Sequence, residues 1–594
     1  MPKAECIFEV SWEICNKVGG IYTVIKSKVA RMMGHYKNLY LVGPYVAKKA
    51  AAEFQQMPAP ENLKGVFEEL KKEGIECYYG QWMVKGKPQT ILIDFSKFMQ
   101  HKDGIKSHLW EKFKIDSLGS GGDFDEPLVW SWAVGKLLEK VFSAWNCPKM
   151  VGQFHEWLSG GALLYLKDKG VKIATVFTTH ATILGRTLAG SDRPLYEILE
   201  KIDADAEARN YGIQSKHGME KASALGAHIF TTVSDITGLE AEHILGRKPD
   251  HLLPNGLDFD KLPDLEEIPT KHGFYKAKIK EFLMPYFFPY YSFDLDNTLF
   301  YFISGRYEFR NKGLDVFIES LSRLNEKLKK VKGSPTIVSF IFVPADSKAM
   351  KLEVVESKSL FEDIQDSVDD HMPDLRRNVI KGIADGKLPS EAKIFDEDFL
   401  FEMKKGILSF KKEGVPPIST HELANPKNLI YESLIIRGLD NKKDDKVKVV
   451  FYPIYLSSSD GLMDLSYYQA VWGCHLGVFP SYYEPWGYTP LESAAYGVPS
   501  VTTDLAGFGL YAGKHLKDKH GGAENPGIFI LGRRGRKYED IVKDLTEMMF
   551  WYATLPKKDR IQNKITAEHF APQLDWKYLI KHYIEAHDKA LEKV

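Results

Sequence analysis

The chain has 594 residues, with 79 Lys plus Arg against 80 Asp plus Glu and a net charge of −1. That length exceeds one ordinary core, so two or more domains are expected, and the balanced charge removes the basic surface that a nucleic-acid partner requires. The five cysteines (Cys6, Cys15, Cys77, Cys147, Cys474) are scattered without a CxxC pair, acids interrupt the N-terminus where a leader needs an apolar core, and no run is apolar enough to span a bilayer; these predict free thiols, a cytoplasmic location and no membrane partner.

In chain order, VSWEICNKVGGIYTVIKSKV (10–29) reads as a strand, a loop with Lys17 and Gly19–Gly20, then a helix. NLYLVGPY (38–45), TILIDF (90–95), KIATVFTTH (172–180) and AHIFTTVS (227–234) read as buried strands, and EPLVWSWAVGKLLEKVFSAW (126–145) as an amphipathic helix between them. Strands alternating with helices predict a doubly wound parallel sheet for residues 1–262. The Pro- and acid-rich PDLEEIPT (263–270) reads as a boundary. A second alternating region over 271–573 has candidate strands at 298–306, 336–345, 448–456, 476–481, 499–504 and 527–531, broken by a charged helical insertion at about 346–445. LDWKYLIKHYIEAHDKALEKV (574–594) reads as one amphipathic helix.

Ligands of such sheets lie beyond the carboxyl ends of strands, so chemistry is expected on the loops after these strands. FPSYYEPWGYTPLESAAYGVPS (479–500) carries Glu484 among aromatics before a helix. The pattern allows Thr489 as N-cap, Pro490 as first helical residue and Glu492 as the acid of a capping box, and the helix start around Gly487 is an anion-friendly position. FISGRYEFRNKGLDVFIESL (302–321) places Arg306, Arg310 and Lys312 on one strand-to-helix loop, a cation set suited to a diphosphate. FTTHATILGRTLAG (177–190) places His180 and Arg186 after a strand, QFHEWLSGGALL (153–164) places His155 and Glu156, and Asn255–Gly256 precedes the boundary. A lone His after a strand is more often structural, and Gly-Gly turns are common. No HxxxH, CxxC or DxD element stands out, so side chains and helix ends are expected to neutralise phosphate charge without a metal or other cofactor.

Taken together, SWEICNKVGGIYTVIKSK, FTTHATILGR, GRYEFRNKG, LGVFPSYYEPWGYTPLESAAYG and LDWKYL resemble the glycogen synthases of animals and fungi over nearly the whole chain. The resemblance implies an α/β GT-B fold: two facing Rossmann-like domains, a helical insertion in the second, and a last helix crossing back to the first. It implies retaining transfer of glucose from UDP-glucose to an α-1,4-glucan, a homo-tetramer, and a glycogenin-like primer. By matching positions, Arg306 and Lys312 would bind donor phosphates, Glu484 would act in catalysis beside the donor glucose, Glu492 would bind ribose and Tyr467 would stack on uracil. Lys17, Gly19 and Gly20 would face the donor; His180 and Asn255 would touch its glucose; Arg186 would line the cleft; and Trp486, Gly487, Tyr488 and Thr489 would complete the donor loop.

The chain also departs from that pattern. It stops at Val594 without the serine-rich tail of longer relatives, which implies no tail phosphorylation. Where they carry an arginine-rich helix sensing glucose 6-phosphate, 556–573 keeps only Lys557, Lys558, Arg560 and Lys564, which implies a weak or lost response. Alternatives are a pyridoxal-dependent glucan phosphorylase, a transferase with another donor or acceptor, and a non-catalytic glucan-binding subunit.

Overall fold

The computed structural model describes residues 2–262, 267–387, 390–520 and 525–594. Nine strands build the first sheet: β1 (Cys6–Val10), β2 (Asn38–Pro44), β3 (Phe54–Gln56), β4 (Glu76–Trp82), β5 (Gln89–Asp94), β6 (Met150–His155), β7 (Ala174–Thr179), β8 (Ile229–Thr232) and β9 (His251–Leu252). Their order is β3-β4-β5-β2-β1-β6-β7-β8-β9. All pairs from β5 to β9 are parallel, and β3 and β4 add an antiparallel margin. That margin escapes sequence reading because β4, ECYYGQW, is only half-buried along most of its length and lacks a clean alternation.

The second domain holds β10 (Thr298–Ser304), β11 (Thr336–Phe342), β14 (Val447–Tyr452), β15 (Leu476–Val478), β16 (Ser500–Thr503) and β17 (Ile528–Leu531). These form an all-parallel sheet of order β14-β11-β10-β15-β16-β17. β10, β11 and β14 are buried at every residue, as expected for strands covered on both faces. The insertion is helical as predicted, but it also contains an antiparallel ribbon of β12 (Ser347–Met350) and β13 (His421–Leu423).

Twelve helices matter below. They are α1 (Gly20–Met33), α2 (Gly122–Trp145), α3 (Ile183–Gly190), α4 (Glu267–Phe287), α5 (Leu314–Lys329), α6 (Leu352–Ala384), α7 (Glu397–Phe410), α8 (Tyr467–Gly473), α9 (Tyr488–Ala495), α10 (Gly507–His520), α11 (Lys557–Phe570) and α12 (Trp576–Leu591). The expected boundary at 263–270 lies partly outside the described residues, and Glu267 opens α4.

Helix α12 crosses back to the first domain. Its carboxylate cap Asp575 accepts from Lys577 N at 2.9 Å, and Leu257 and Leu574 join the two segments backbone to backbone at 3.0 Å. Trp576 and Tyr583 are fully buried against α1 and the first sheet, and the Trp576 indole donates to Ser27 Oγ at 2.7 Å. Removing such a ring costs about 3–5 kcal/mol, so the helix is integral to the first domain's core. The same apolar layer contains Trp486, Leu491 and Phe508 of the second domain, which makes the core continuous from one sheet to the other.

Strand order reverses beside β1 in the first sheet and beside β10 in the second. Crevices open at such switch points. The loops that follow β1 and β6 on one side, and β10 and β15 on the other, therefore carry the site.

Candidate active site

On the second domain, the loops after β10 and β15 are held together by backbone. Gly313, the N-cap of α5, sits at φ 71°, and a Cβ there would lie 2.0 Å from the carbonyl oxygen of Pro480. Only glycine permits both that turn and that approach. Asn311 O accepts from Tyr482 N at 2.9 Å and Tyr483 N at 3.2 Å. This clasp brings Lys312 Nζ to 2.5 Å from Glu484 Oε2, with both side chains mostly buried. The two residues singled out on separate loops thus meet as one ion pair.

Helix α9 begins immediately after. Its N-cap is Gly487 at φ 105°, not Thr489, and no side chain caps it. The capping box expected between Thr489 and Glu492 is absent: the chain turns one residue after Trp486, and Thr489 is already inside the first turn. Glu492 instead accepts from the Tyr468 hydroxyl at 3.0 Å. Desolvation pushes its carboxyl up to about 7, with only that hydroxyl opposing. Tyr468 itself stacks on Tyr496 with centroids 5.3 Å apart. Sequence reading chose its neighbour Tyr467, whose hydroxyl is 3.0 Å from Ser304 Oγ at the end of β10.

The three cations after β10 separate. Lys312 joins Glu484. Arg310 donates to the backbone oxygen of Asp192 in the first domain and lies over the Tyr482 ring at 4.8 Å. Arg306 is 67% exposed and pairs with Glu308 at 2.9 Å, so the geometry does not bring it to Glu484. Trp486 is 4% exposed, packed against Phe508 and Tyr511, and supports the loop from behind. Tyr488 and Thr489 are half-buried in the first turn of α9.

On the first domain, the start of α1 is already occupied. Glu13 accepts from Gly19 N at 2.7 Å and Tyr22 N at 2.9 Å, so an internal carboxylate fills the helix N-terminus. Desolvation raises the Glu13 carboxyl, with those backbone N–H groups opposing. Gly20 has open space around it, and Lys17 is exposed, 5.9 Å from the Tyr22 ring. Glu13 was not singled out in the sequence, although an acid six residues before a Gly-Gly helix start is a usable signal.

Behind β1 and β6 lies a buried relay. Glu9 Oε1 accepts from Lys28 Nζ and lies 2.9 Å from His155 Nε2; His155 Nδ1 lies 2.9 Å from His180 Nε2. Burial would raise the Glu9 carboxyl, but Lys28 and His155 outweigh it and hold it at about 2. Desolvation lowers both histidines, so they are neutral. The protons then follow by elimination. A carboxylate only accepts, so His155 carries its proton on Nε2 and offers Nδ1 as an acceptor. His180 must donate through Nε2, which leaves its Nδ1 as a lone pair.

Glu156, at φ 64°, accepts from His180 N at 2.9 Å and Ala181 N at 3.1 Å and so sets the backbone of the His180 loop. Desolvation pushes its carboxyl up to about 7 against the opposing charge of Arg186. Arg186 is exposed on α3; desolvation lowers its pKa, but Tyr483, Glu156, Glu308 and Glu220 outweigh that and raise it. Its field thus spans both domains. Asn255 is buried, and its Oδ1 has no hydrogen-bond partner among the described residues.

The halves touch directly around the crevice. Tyr482 donates to Glu197 at 3.0 Å, Tyr483 to Glu240 at 3.3 Å, and Ser234 to Pro485 O at 2.6 Å. Two neighbouring tyrosines immediately before Glu484 therefore tie its loop to the opposite domain.

The sequence matches the family model Glycogen synthase over residues 9–594. The chain belongs to that family. It is 38% identical over 590 residues to the liver glycogen [starch] synthase of Mus musculus, covering 99% of this chain and 83% of that protein. It is 36% identical over 598 residues to the glycogen [starch] synthase of Neurospora crassa, covering 100% and 84%. Among solved structures, the catalytic domain of starch synthase IV from Arabidopsis thaliana, bound to ADP and acarbose, aligns with TM-score 0.51 and 12% identity over 99% of this chain and all of that one. The fold is GT-B, and a glycogen synthase of this fold is a glycosyltransferase.

The segment 556–573, expected in place of an arginine-rich helix, is mostly α11. Lys557 and Lys558 are exposed, while Arg560 donates to Leu555 O at 2.5 Å. Lys564 turns inward to Cys474 O at 3.3 Å, and burial lowers its ammonium to about 7. Lys276 of α4 reaches the same surface; burial, Lys280 and Lys557 all lower it. Among the described residues, no helix is long and apolar enough to cross a membrane.

Proposed function

We propose that the crevice binds UDP-glucose and transfers its glucose, with retention, to the non-reducing end of an α-1,4-glucan. The observation that carries this reading is the Lys312–Glu484 pair beside the uncapped N-terminus of α9, at the switch point of the second sheet. An ammonium and a helix N-terminus are what a departing diphosphate needs. On donor binding Lys312 moves its charge to the phosphates, and Arg306 exchanges Glu308 for a phosphate oxygen. Glu484, freed of its partner, then faces the sugar's reacting carbon. Glu492 accepts from the ribose, Tyr467 stacks on the base, and the His180 lone pair and Asn255 orient the glucose. As the C1–O bond to phosphate breaks, the acceptor hydroxyl attacks C1 on the face the diphosphate leaves and passes its proton to the departing phosphate oxygen, which retains configuration. The contacts of Tyr482 and Tyr483 with the first domain hold the loop closed while water is excluded.

This chemistry needs no metal or other cofactor, because the cations and the helix end supply the charge. The test is UDP release from UDP-glucose with glycogen present, repeated with Glu484→Ala, Arg306→Ala and a chelator. Turnover that vanishes in both variants yet survives the chelator supports the assignment; undiminished turnover in either variant removes that residue from it.

Three further features complete the reading. The response to glucose 6-phosphate is weak, since Arg560 and Lys564 are engaged by backbone oxygens; a large stimulation ratio contradicts this. The insertion forms the contact of a homo-tetramer, through exposed Ile380 and Ile383 on α6 and Phe401 and Leu408 on α7. A glycogenin-like primer supplies the first acceptor in the cytoplasm.

A further inference from the structure

The crossover helix carries a second cluster that the transfer chemistry does not use. His582 and Glu585 lie one turn apart on α12, and His251 of β9 faces them from the edge of the first sheet. One ligand atom from each residue lies within 4.8 Å of the others. His251 Nε2 is 3.4 Å from Glu585 Oε2, and the two imidazole centroids are 5.5 Å apart.

Two features separate this cluster from an ordinary surface pair. His251 Nε2 and His582 Nδ1 are buried, yet neither has a hydrogen-bond partner among the described residues. Buried ring nitrogens are normally satisfied; His251 Nε2 has its 3.4 Å ion contact with Glu585 but no hydrogen bond, and His582 Nδ1 has no hydrogen bond, so the pair leaves room for a further partner. The cluster also borders a cavity of about 710 Å³, which gives an ion an entry path and room for water. Local sequence spacing misses the set, because His582 and Glu585 are only two of its three groups until β9 supplies the third.

We propose that His251, His582 and Glu585 bind a divalent transition-metal ion of the zinc, cobalt or nickel class, clamping the crossover helix to the edge of the first sheet. Two imidazoles and one carboxylate suit such borderline ions, whereas magnesium and calcium prefer all-oxygen sets. Bonds of about 2.0–2.2 Å need the ligand atoms closer than they stand here. Rotation of side chains closes that gap, and Glu585, 52% exposed, is free to turn. The ammoniums of Lys581 and Lys589 nearby oppose a cation and weaken its binding. The same cavity is lined by Tyr511 and Lys514 of α10, from the second domain. An ion here therefore stiffens the seat of the crossover helix on the first domain, at the margin of a cavity that the second domain also lines, without touching Glu484.

The experiment is a titration of untagged, metal-stripped full chain with Co(II), read by visible absorption, and with Zn(II) by equilibrium dialysis. A Cys147→Ser background removes the half-buried thiol that lies 3.8 Å from the Glu5 carboxylate. One equivalent is expected per chain, with a metal-dependent rise in thermal midpoint. Glu585→Gln is an exposed, isosteric change that leaves the fold intact; it and His582→Gln are each expected to weaken binding at least about tenfold. No saturable binding to the wild-type chain, or undiminished binding in either variant, overturns the site.

Discussion

Two helix N-termini face the crevice, and they differ in what fills them. Both follow a glycine, at Gly19 for α1 and Gly487 for α9, and neither has a capping side chain at that glycine. At α1, Glu13 folds back and takes the N–H groups of Gly19 and Tyr22. At α9, Glu484 stands at the corresponding place but pairs with Lys312 instead. A helix start satisfied by its own carboxylate repels a second anion, whereas one next to an ammonium attracts it. Under the proposed function, the contrast makes the second terminus the one that takes phosphate.

The sharpest test of this contrast is to remove the pair at α9. Lys312→Ala is expected to lower kcat by about 10²–10³-fold in a UDP-release assay, the loss typical of one preorganised group at a developing charge. Glu484→Gln should fall by a similar factor, and the double variant by less than the product, because the two residues act together. Additive losses would break the pairing.

Next in size is the backbone itself. Gly487→Ala places a side chain at φ 105° and should cost about 1–3 kcal/mol in urea unfolding, with a higher donor KM. Glu13→Ala should cost about 1 kcal/mol, as losing a helix cap does, while leaving donor KM nearly unchanged. If Glu13→Ala alters KM as much as Gly487→Ala does, the two termini are equivalent and the contrast fails.

The pH dependence is smaller still. Burial raises the Glu492 carboxyl to about 7, so below that value it loses the carboxylate that the proposed function has accepting from ribose. Donor KM is expected to rise as pH falls through 7, by at most about tenfold per unit, and Glu492→Gln should flatten the profile. The stability sign is opposite: from its ordinary value up to about 7 the unfolded carboxyl has ionised and the folded one has not, so this group's contribution to stability declines as pH rises across that window. Smallest of all is Thr489→Ala, within about 0.5 kcal/mol in unfolding, since Thr489 caps nothing.

Most strands were legible because strands buried on both faces are written as apolar runs, and TIVSFIF and TLFYFIS could be little else. β3 and β4 were not, because a half-exposed margin has no such run. Glu484, Lys312 and His180 could be picked out by their place after strands. Local pattern also misled: Thr-Pro-Leu-Glu spells a capping box that a glycine turn two residues earlier pre-empts.

Periodicity and turn residues were therefore enough for the two-sheet frame and the loops after its strands, since burial of a strand depends on its own residues. Partnership was decided by folding. Glu13 with the start of α1, Glu492 with Tyr468, Tyr483 with Glu240, the relay that leaves a lone pair on His180, and His251 beside His582 all join groups far apart in the chain or aimed by the backbone. Their charges and protons are set where water is excluded and the nearest dipole dominates, and which dipole is nearest is a property of three dimensions alone.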